Sequence, residues 1–269
     1  MNYRNIIEAS KIGQITQGSI FNGAKSSAYP NNKDIYGVII TPRCDIAHKK
    51  VPLYYYLPAV RLRDWLQVDF PPIYLSKIEK DVKQNLIDTL NKLKESTSIV
   101  DKFKAVDVEN IIRKHIPTLN SSLERKIEIW KALEKFKNGG SLTDVISKDS
   151  SNVRKGILEE LLENKNTNFY FIESKDEEGF ILRMREISRL TPDMMFQLAQ
   201  GIDKKLTKEE LSSNDLRQLD DDDLFMPLYE IKSPFIEHII QHLLQQFNRI
   251  GIEDVSREFV SKINEMIKV

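Results

Sequence analysis

Three groups of side chains in this sequence are of types that do chemistry. Arg43-Cys44-Asp45-Ile46-Ala47-His48 places a guanidinium, a thiol, a carboxylate and an imidazole within one short stretch. Arg43, Cys44 and His48 would suit a phosphodiester-cleaving centre or a cysteine nucleophile: the cation steadies charge building on the substrate and the imidazole moves a proton. A nucleophilic cysteine needs that imidazole against its sulfur and an oxyanion site as well, and close spacing in a loop supplies neither. The plain reading is a half-buried structural cysteine beside a surface histidine.

His238 and His242 are four residues apart, as two zinc ligands on one helix would be. Zinc takes three or four protein ligands, and the pattern is not H-E-x-x-H, because Glu237 precedes the first histidine and Ile239 follows it. Together with Gln241, Gln245 and Arg249 the two histidines form the polar face of a helix. That face is either simply solvated or turned to a partner through His238, His242 and Arg249. The third group, Tyr54-Tyr55-Tyr56 with Arg61 and Arg63, has the side chains of a single-stranded nucleic-acid platform. Consecutive strand residues point to opposite faces, so the tyrosines cannot all share one surface. The chain has no P-loop, dinucleotide fingerprint, paired-carboxylate pattern or G-x-S-x-G turn, so no motif calls for a cofactor or a metal.

The elements that position these groups follow from periodicity. Strand signals run from Gly13 to Leu75: Gly18-Ser19-Ile20-Phe21, then Tyr36-Gly37-Val38-Ile39-Ile40-Thr41-Pro42, then Leu53 to Val60. After Pro71-Pro72 the period lengthens, and Ile78, Val82, Leu86, Leu90 and Leu93 fall on one helical stripe, with Ser76 and Glu79 as a capping box at its start. Helices are expected over Asp107–Ile116, from Ser121 to the Asn138-Gly139-Gly140 stop, and from Val153 to about Asn164. Phe169–Glu173 and Phe180–Ile187 read as a hairpin, and Leu224–Ile231 as one more strand. Ser233 as cap and Pro234 at the first helical position open a helix with Ile236, Ile240, Leu243, Leu244, Phe247 and Ile250 as its buried face. After Gly251, Val255, Phe259, Val260, Ile263 and Ile267 form a last amphipathic helix.

The fold class this implies is α+β: a strand-rich region, 1–75 and 167–232, interrupted by an all-helical insertion, 76–166, and followed by a C-terminal helical pair, 233–269. Of the 269 residues 41% are hydrophobic and 30% charged, which is enough apolar material for a core. Forty basic residues balance forty acidic ones, so no long-range field draws in nucleic acid or an anionic membrane. A single cysteine rules out an intramolecular disulfide and fits the reducing cytoplasm. Met1 to Gly13 lacks the apolar core of a signal peptide, and no run approaches the roughly 18 apolar residues of a spanning helix.

The segments Gly18–Phe21, Tyr36–Pro42 and Tyr55–Val60, with Phe180–Ile187 as a later strand, resemble the strands of the PemK/MazF family of small β-barrels. The resemblance implies that fold class in a finer form, a PemK/MazF-like barrel carrying the helical block between its strands. Family toxins cut single-stranded RNA with an arginine just before the second strand and a threonine just after the third. Here Tyr36-Gly37 and Val60-Arg61 stand at those positions, so no catalytic residue is carried over, and Arg43, Cys44 and His48 are the alternative cluster of a relocated nuclease. A barrel without those groups resembles the CalpT-type, MazF-like anti-sigma components that act with a protease in type III CRISPR signalling. That likeness implies a non-catalytic adaptor of bacterial antiviral defence, a sigma factor or protease as partner, and a protease-sensitive linker within Thr191–Leu219. The cut is expected at Leu198, Ala199, Gln200 and Gly201 and would free the C-terminal helices; from the residues alone the same stretch reads as a short surface helix. Nucleic-acid binding without cleavage is the remaining alternative.

Overall fold

The structure is a computed structural model that describes residues 4–11, 13–149, 153–174, 178–203, 216–217, 220 and 223–247. Helices and antiparallel strands are mixed, in two compact units: Met1–Arg4 with Ala59–Leu182, and Asn5–Pro58 with Arg183–Val269. Along the chain come β1 (Ile7–Ala9), β2 (Ser19–Asn22), β3 (Tyr36–Ile39), α1 (Arg43–Ala47), β4 (Tyr54–Arg61), α2 (Leu62–Val68) and α3 (Phe70–Lys92). Five helices follow: α4 (Ile99–Lys102), α5 (Ala105–His115), α6 (Ser121–Lys137), α7 (Leu142–Lys148) and α8 (Val153–Leu162). Then come β5 (Phe169–Ile172), β6 (Phe180–Arg183), β7 (Ser188–Leu190), α9 (Pro192–Gln200), β8 (Ile202–Asp203), β9 (Leu224–Phe225), β10 (Pro227–Ile231) and α10 (Phe235–Phe247).

In the helical unit, α3 supplies the longest stripe, with Phe70, Tyr74, Ile78, Val82, Leu86 and Leu90 buried. It packs on α6 and α8, and each fully buried aliphatic side chain there is worth about 1.5–3 kcal/mol. The expected start at Ser76 is corrected. Pro71 and Pro72 sit in the first turn, where a missing N–H costs nothing, so the helix begins at Phe70 and Ser76 lies within it. Helix α6 begins where expected, with Asn120 rather than Ser121 as its cap: the Asn120 side chain accepts the Leu123 N–H. Trp65 of α2 is fully buried, its ring edge-on to Phe169 at 5.5 Å.

The second half of β4 pairs with β6, Ala59 opposite Leu182, and β6 is flanked by β5. The outer edge of β5 is closed by a side chain. Asn164, at φ +56°, accepts the Phe171 N–H at 2.6 Å and donates to the Phe171 carbonyl at 3.2 Å, standing in for a neighbouring strand.

In the strand unit the order is β1-β10-β2-β3-β4, with β7 also on the first half of β4. Each of the following pairings is antiparallel: Ile7 faces Ile231, Tyr229 faces Ile20, Ile20 faces Val38, and Tyr54 faces Leu190. The expected second hairpin strand, Phe180–Ile187, is corrected: it ends at Arg183, and a turn leads to β7. That turn lets Arg183 point back, its Nε donating to Glu186 at 2.9 Å and its guanidinium lying 5.4 Å from the Tyr29 ring. Glu186 also accepts from the Ser26 hydroxyl at 2.8 Å and the Ser27 N–H at 2.5 Å, which fixes the loop between β2 and β3.

Gly37 in β3 lies directly under an edge-to-face pair, Phe21 and Tyr56, with centroids 5.1 Å apart. A Cβ there would fall 2.2 Å from Phe21 Cζ and 2.9 Å from Tyr56 Cδ2. Among the described residues no helix is long and apolar enough to cross a membrane.

Candidate functional site

Helix α10 follows β10 through a cis Ser233-Pro234 peptide, and its first residue is Phe235, one later than expected. Its buried side chains are Ile236, Ile239 and Leu243. The expected buried face is therefore corrected: its centre lies toward Ile239. Leu244 and Phe247 are 54% and 58% exposed, and Ile240 is half-buried. At 100° per residue the apolar arc from Ile239 to Leu244 is roughly 140° wide, more than one packed neighbour covers. Leu244 and Phe247, with the half-buried Ile240 at helical neighbour spacing, make an apolar ridge beside the buried stripe.

Of the polar-face residues, His238 is exposed and His242 is half-buried at the margin of that stripe. Arg249, Ile250 and the expected last helix lie outside the described residues. Among the described residues no three His, Cys, Asp or Glu side chains gather as metal ligands.

Arg43, Cys44 and His48 lie on or at the end of α1, all three exposed. His48 caps α1 through its backbone N–H, which donates to the Cys44 carbonyl at 3.1 Å. The Cys44 thiol lies 3.7 Å from Asp45 Oδ1, so its polar neighbour is a carboxylate. The stretch Leu198, Ala199, Gln200 and Gly201 is the last turn and cap of α9, where Leu198 is fully buried and Gly201 closes the helix at φ +93°. Thr191 caps the other end, its Oγ1 accepting the Met194 N–H.

Gly37 and Val60-Arg61, the positions the resemblance sets against the toxin residues, are both closely packed. Gly37 is filled over by the Phe21–Tyr56 pair. Val60 is fully buried, and the Arg61 guanidinium stacks on the Phe180 ring at 4.2 Å. In the tyrosine run Tyr54 and Tyr56 are buried and Tyr55 is 44% exposed. The Tyr55 N–H donates to Thr41 Oγ1 at 2.7 Å. Arg63 pairs with Asp64 at 3.7 Å and Glu178 at 3.4 Å.

Two charged arrangements were not legible in the sequence. In the helical unit, α6 and α7 border a groove of about 290 Å³ whose lining includes Glu128, Lys131, Lys135, Asp144 and Lys148. Lys131 bridges Glu109 at 2.7 Å and Glu128 at 2.9 Å, and Lys148 reaches Glu128 at 3.2 Å. Lys131 holds both carboxyls below their usual range, and they raise the Lys131 ammonium in turn. Lys135 pairs with Asp144 at 2.9 Å, so each lysine lining the groove has a carboxylate partner, Glu109 of α5 supplying one from outside the lining. Elsewhere in the helical unit, burial and a 2.8 Å hydrogen bond to Asp149 push the Tyr74 phenol well above the ordinary tyrosine range.

In the strand unit, Arg217 grips Asp223 bidentately, at 2.6 and 2.9 Å, and lies 4.9 Å from the Phe225 ring. The guanidinium, helped by the Asp220 N–H, holds the Asp223 carboxyl below its usual range against the opposing effect of burial. Asp223 closes the acidic run Asp220–Asp223, which in sequence alone reads as a solvated tether.

No protein-family model, curated protein or solved structure matches this chain.

Proposed function

We propose that this chain is a non-catalytic regulatory protein that holds a protein partner on the apolar ridge of α10. The observation that carries the reading is the exposure of Leu244 and Phe247 on a helix whose adjacent stripe is fully packed. Large apolar side chains side by side at a helix surface, bordered by the exposed Glu237 and Gln241, have the composition of an interface core with a polar rim. In its finer form the proposal places a PemK/MazF-like barrel in 1–75 and 167–232, with 76–166 inserted and a helical pair in 233–269. The partner would be a sigma factor, and the setting bacterial antiviral defence.

The crowding at Gly37 supports a non-catalytic reading, because a long cationic side chain in that spot would displace the Phe21–Tyr56 pair. The test is co-purification of the tagged full chain from its native host. A stoichiometric partner is expected, retained by a Phe103→Glu control, which alters an exposed apolar residue of the helical unit, and lost from Leu244→Glu/Phe247→Glu. A chain that purifies alone, or a partner indifferent to the α10 changes, would overturn the proposal.

A further inference from the structure

Strand β10 is the last described strand, yet it lies between the first two, β1 and β2. Both of its edges are used. Toward β1, Lys232 donates to the Ile6 carbonyl at 2.9 Å and Ser10 to the Leu228 carbonyl at 3.1 Å. Toward β2, the Ile231 N–H reaches the Gly18 carbonyl at 2.9 Å. Pro227 and Ile231 are its buried residues, four apart, and a bulge lies between Pro227 and Tyr229.

The chain just before β10 is held as firmly. The Asn22 side chain accepts the Met226 N–H and donates to the Leu224 carbonyl, both at 2.8 Å. The Arg217 N–H donates to the Gly23 carbonyl at 2.9 Å, and Leu216 bridges to Ala24. Phe225 is fully buried over Gly23, where even a Cβ would fall 2.4 Å from its ring. Strand β9 is tied to β8, Ile202 opposite Phe225.

We infer that the space between β1 and β2 is a strand-binding slot, and that its ligand is an extended antiparallel segment with inward residues four apart. Here the ligand is the chain's own Pro227–Ile231. The slot holds it by two ladders, the Asn22 clasp and the Phe225 plug, and the peptide link through 204–215 is not what keeps it there. Severing that link leaves the two pieces assembled. A cut there therefore does not release the C-terminal segment, contrary to what the family resemblance implies for a cut in this linker. Regulation through such a cut would have to act while both pieces remain together.

The test replaces Thr207–Ser212 by the recognition sequence of a site-specific protease in the full chain, cuts to completion and runs gel filtration at micromolar concentration. The pieces are expected to elute as one species in native buffer and to part only in denaturant. Tyr229→Pro, which removes a strand N–H within the slot, is expected to let the cut pieces separate while the uncut chain stays intact; if that variant does not fold, Asn22→Ala, read by the urea concentration at which the cut pieces part, replaces it. Cut wild-type pieces that separate in native buffer overturn the inference. So do cut variants that hold together as well as the wild type does. Partner binding does not enter this readout, so it stands or falls apart from the proposed function.

Discussion

Replacing Gly37 by alanine adds one methyl group at the most crowded of the described glycines of the strand unit. The new Cβ would sit 2.2 and 2.4 Å from Phe21 ring carbons and 2.9 Å from Tyr56, against an ordinary contact of 3.4 Å or more. Phe21 therefore has to retreat by more than an ångström, and both rings are fully buried. Overpacking of a filled core costs about 1–3 kcal/mol, and breaking the edge-to-face geometry costs about 0.5–1.5 kcal/mol more. The expected loss is thus about 1.5–4.5 kcal/mol, a large share of the roughly 5–15 kcal/mol that keeps a domain folded. Urea unfolding followed by circular dichroism measures it. The same substitution at Gly156 in α8, where nothing lies within 4 Å of the added Cβ, is the control; it is expected to stabilise by about 0.5–1 kcal/mol. A Gly37→Ala protein within about 0.5 kcal/mol of wild type would refute the packing argument.

Two further outcomes follow from polar contacts. Asn164→Ala removes the groups that satisfy both backbone atoms of Phe171, so the helical unit is expected to lose about 2–4 kcal/mol and the bare edge of β5 to self-associate. Chemical denaturation and light scattering read the two effects, and an Asn164→Ala protein as stable and monodisperse as wild type would show that Asn164 guards nothing. Asp223 has a depressed folded-state pKa, so its contribution is present above the unfolded value of about 4 and is lost as pH falls through the folded one. Wild type is therefore expected to be more stable than Asp223→Asn near neutrality and equal to it in strong acid. A gap between them that does not narrow with acidification would exclude the Arg217–Asp223 pair as its source.

The helices are legible where a stripe runs long enough to repeat. Ile78, Val82, Leu86 and Leu90 mark the buried face of α3, and α5, α6 and α8 fall where periodicity and stop signals put them. Short helices are not legible in this way. Leu62–Val68 continues directly from a strand, and its only buried side chain, Trp65, is too little to show a period. Leu142–Lys148 likewise buries only Val145. The Ser76–Glu79 pattern misleads because a capping box is a local signal, and two prolines have already opened the helix at Phe70. At α10 the whole arc is legible as apolar, but which part of it lacks a neighbour depends on packing from elsewhere in the chain. The Arg217–Asp223 clasp, the Asn164 edge guard and the place of β10 between β1 and β2 are all set by residues distant in sequence or by side-chain direction. A period cannot express either.

The position of β10 also imposes an order on events during synthesis. Ile7 and Ile20 emerge early, but the strand they share becomes available only once Ile231 and its neighbours have left the ribosome. At about 5–20 residues per second, β1 and β2 wait roughly 10–40 s for the strand that joins them. Throughout that interval their edges stand open, so the nascent chain, rather than the finished one, is the form in which this sequence is most exposed to mispairing.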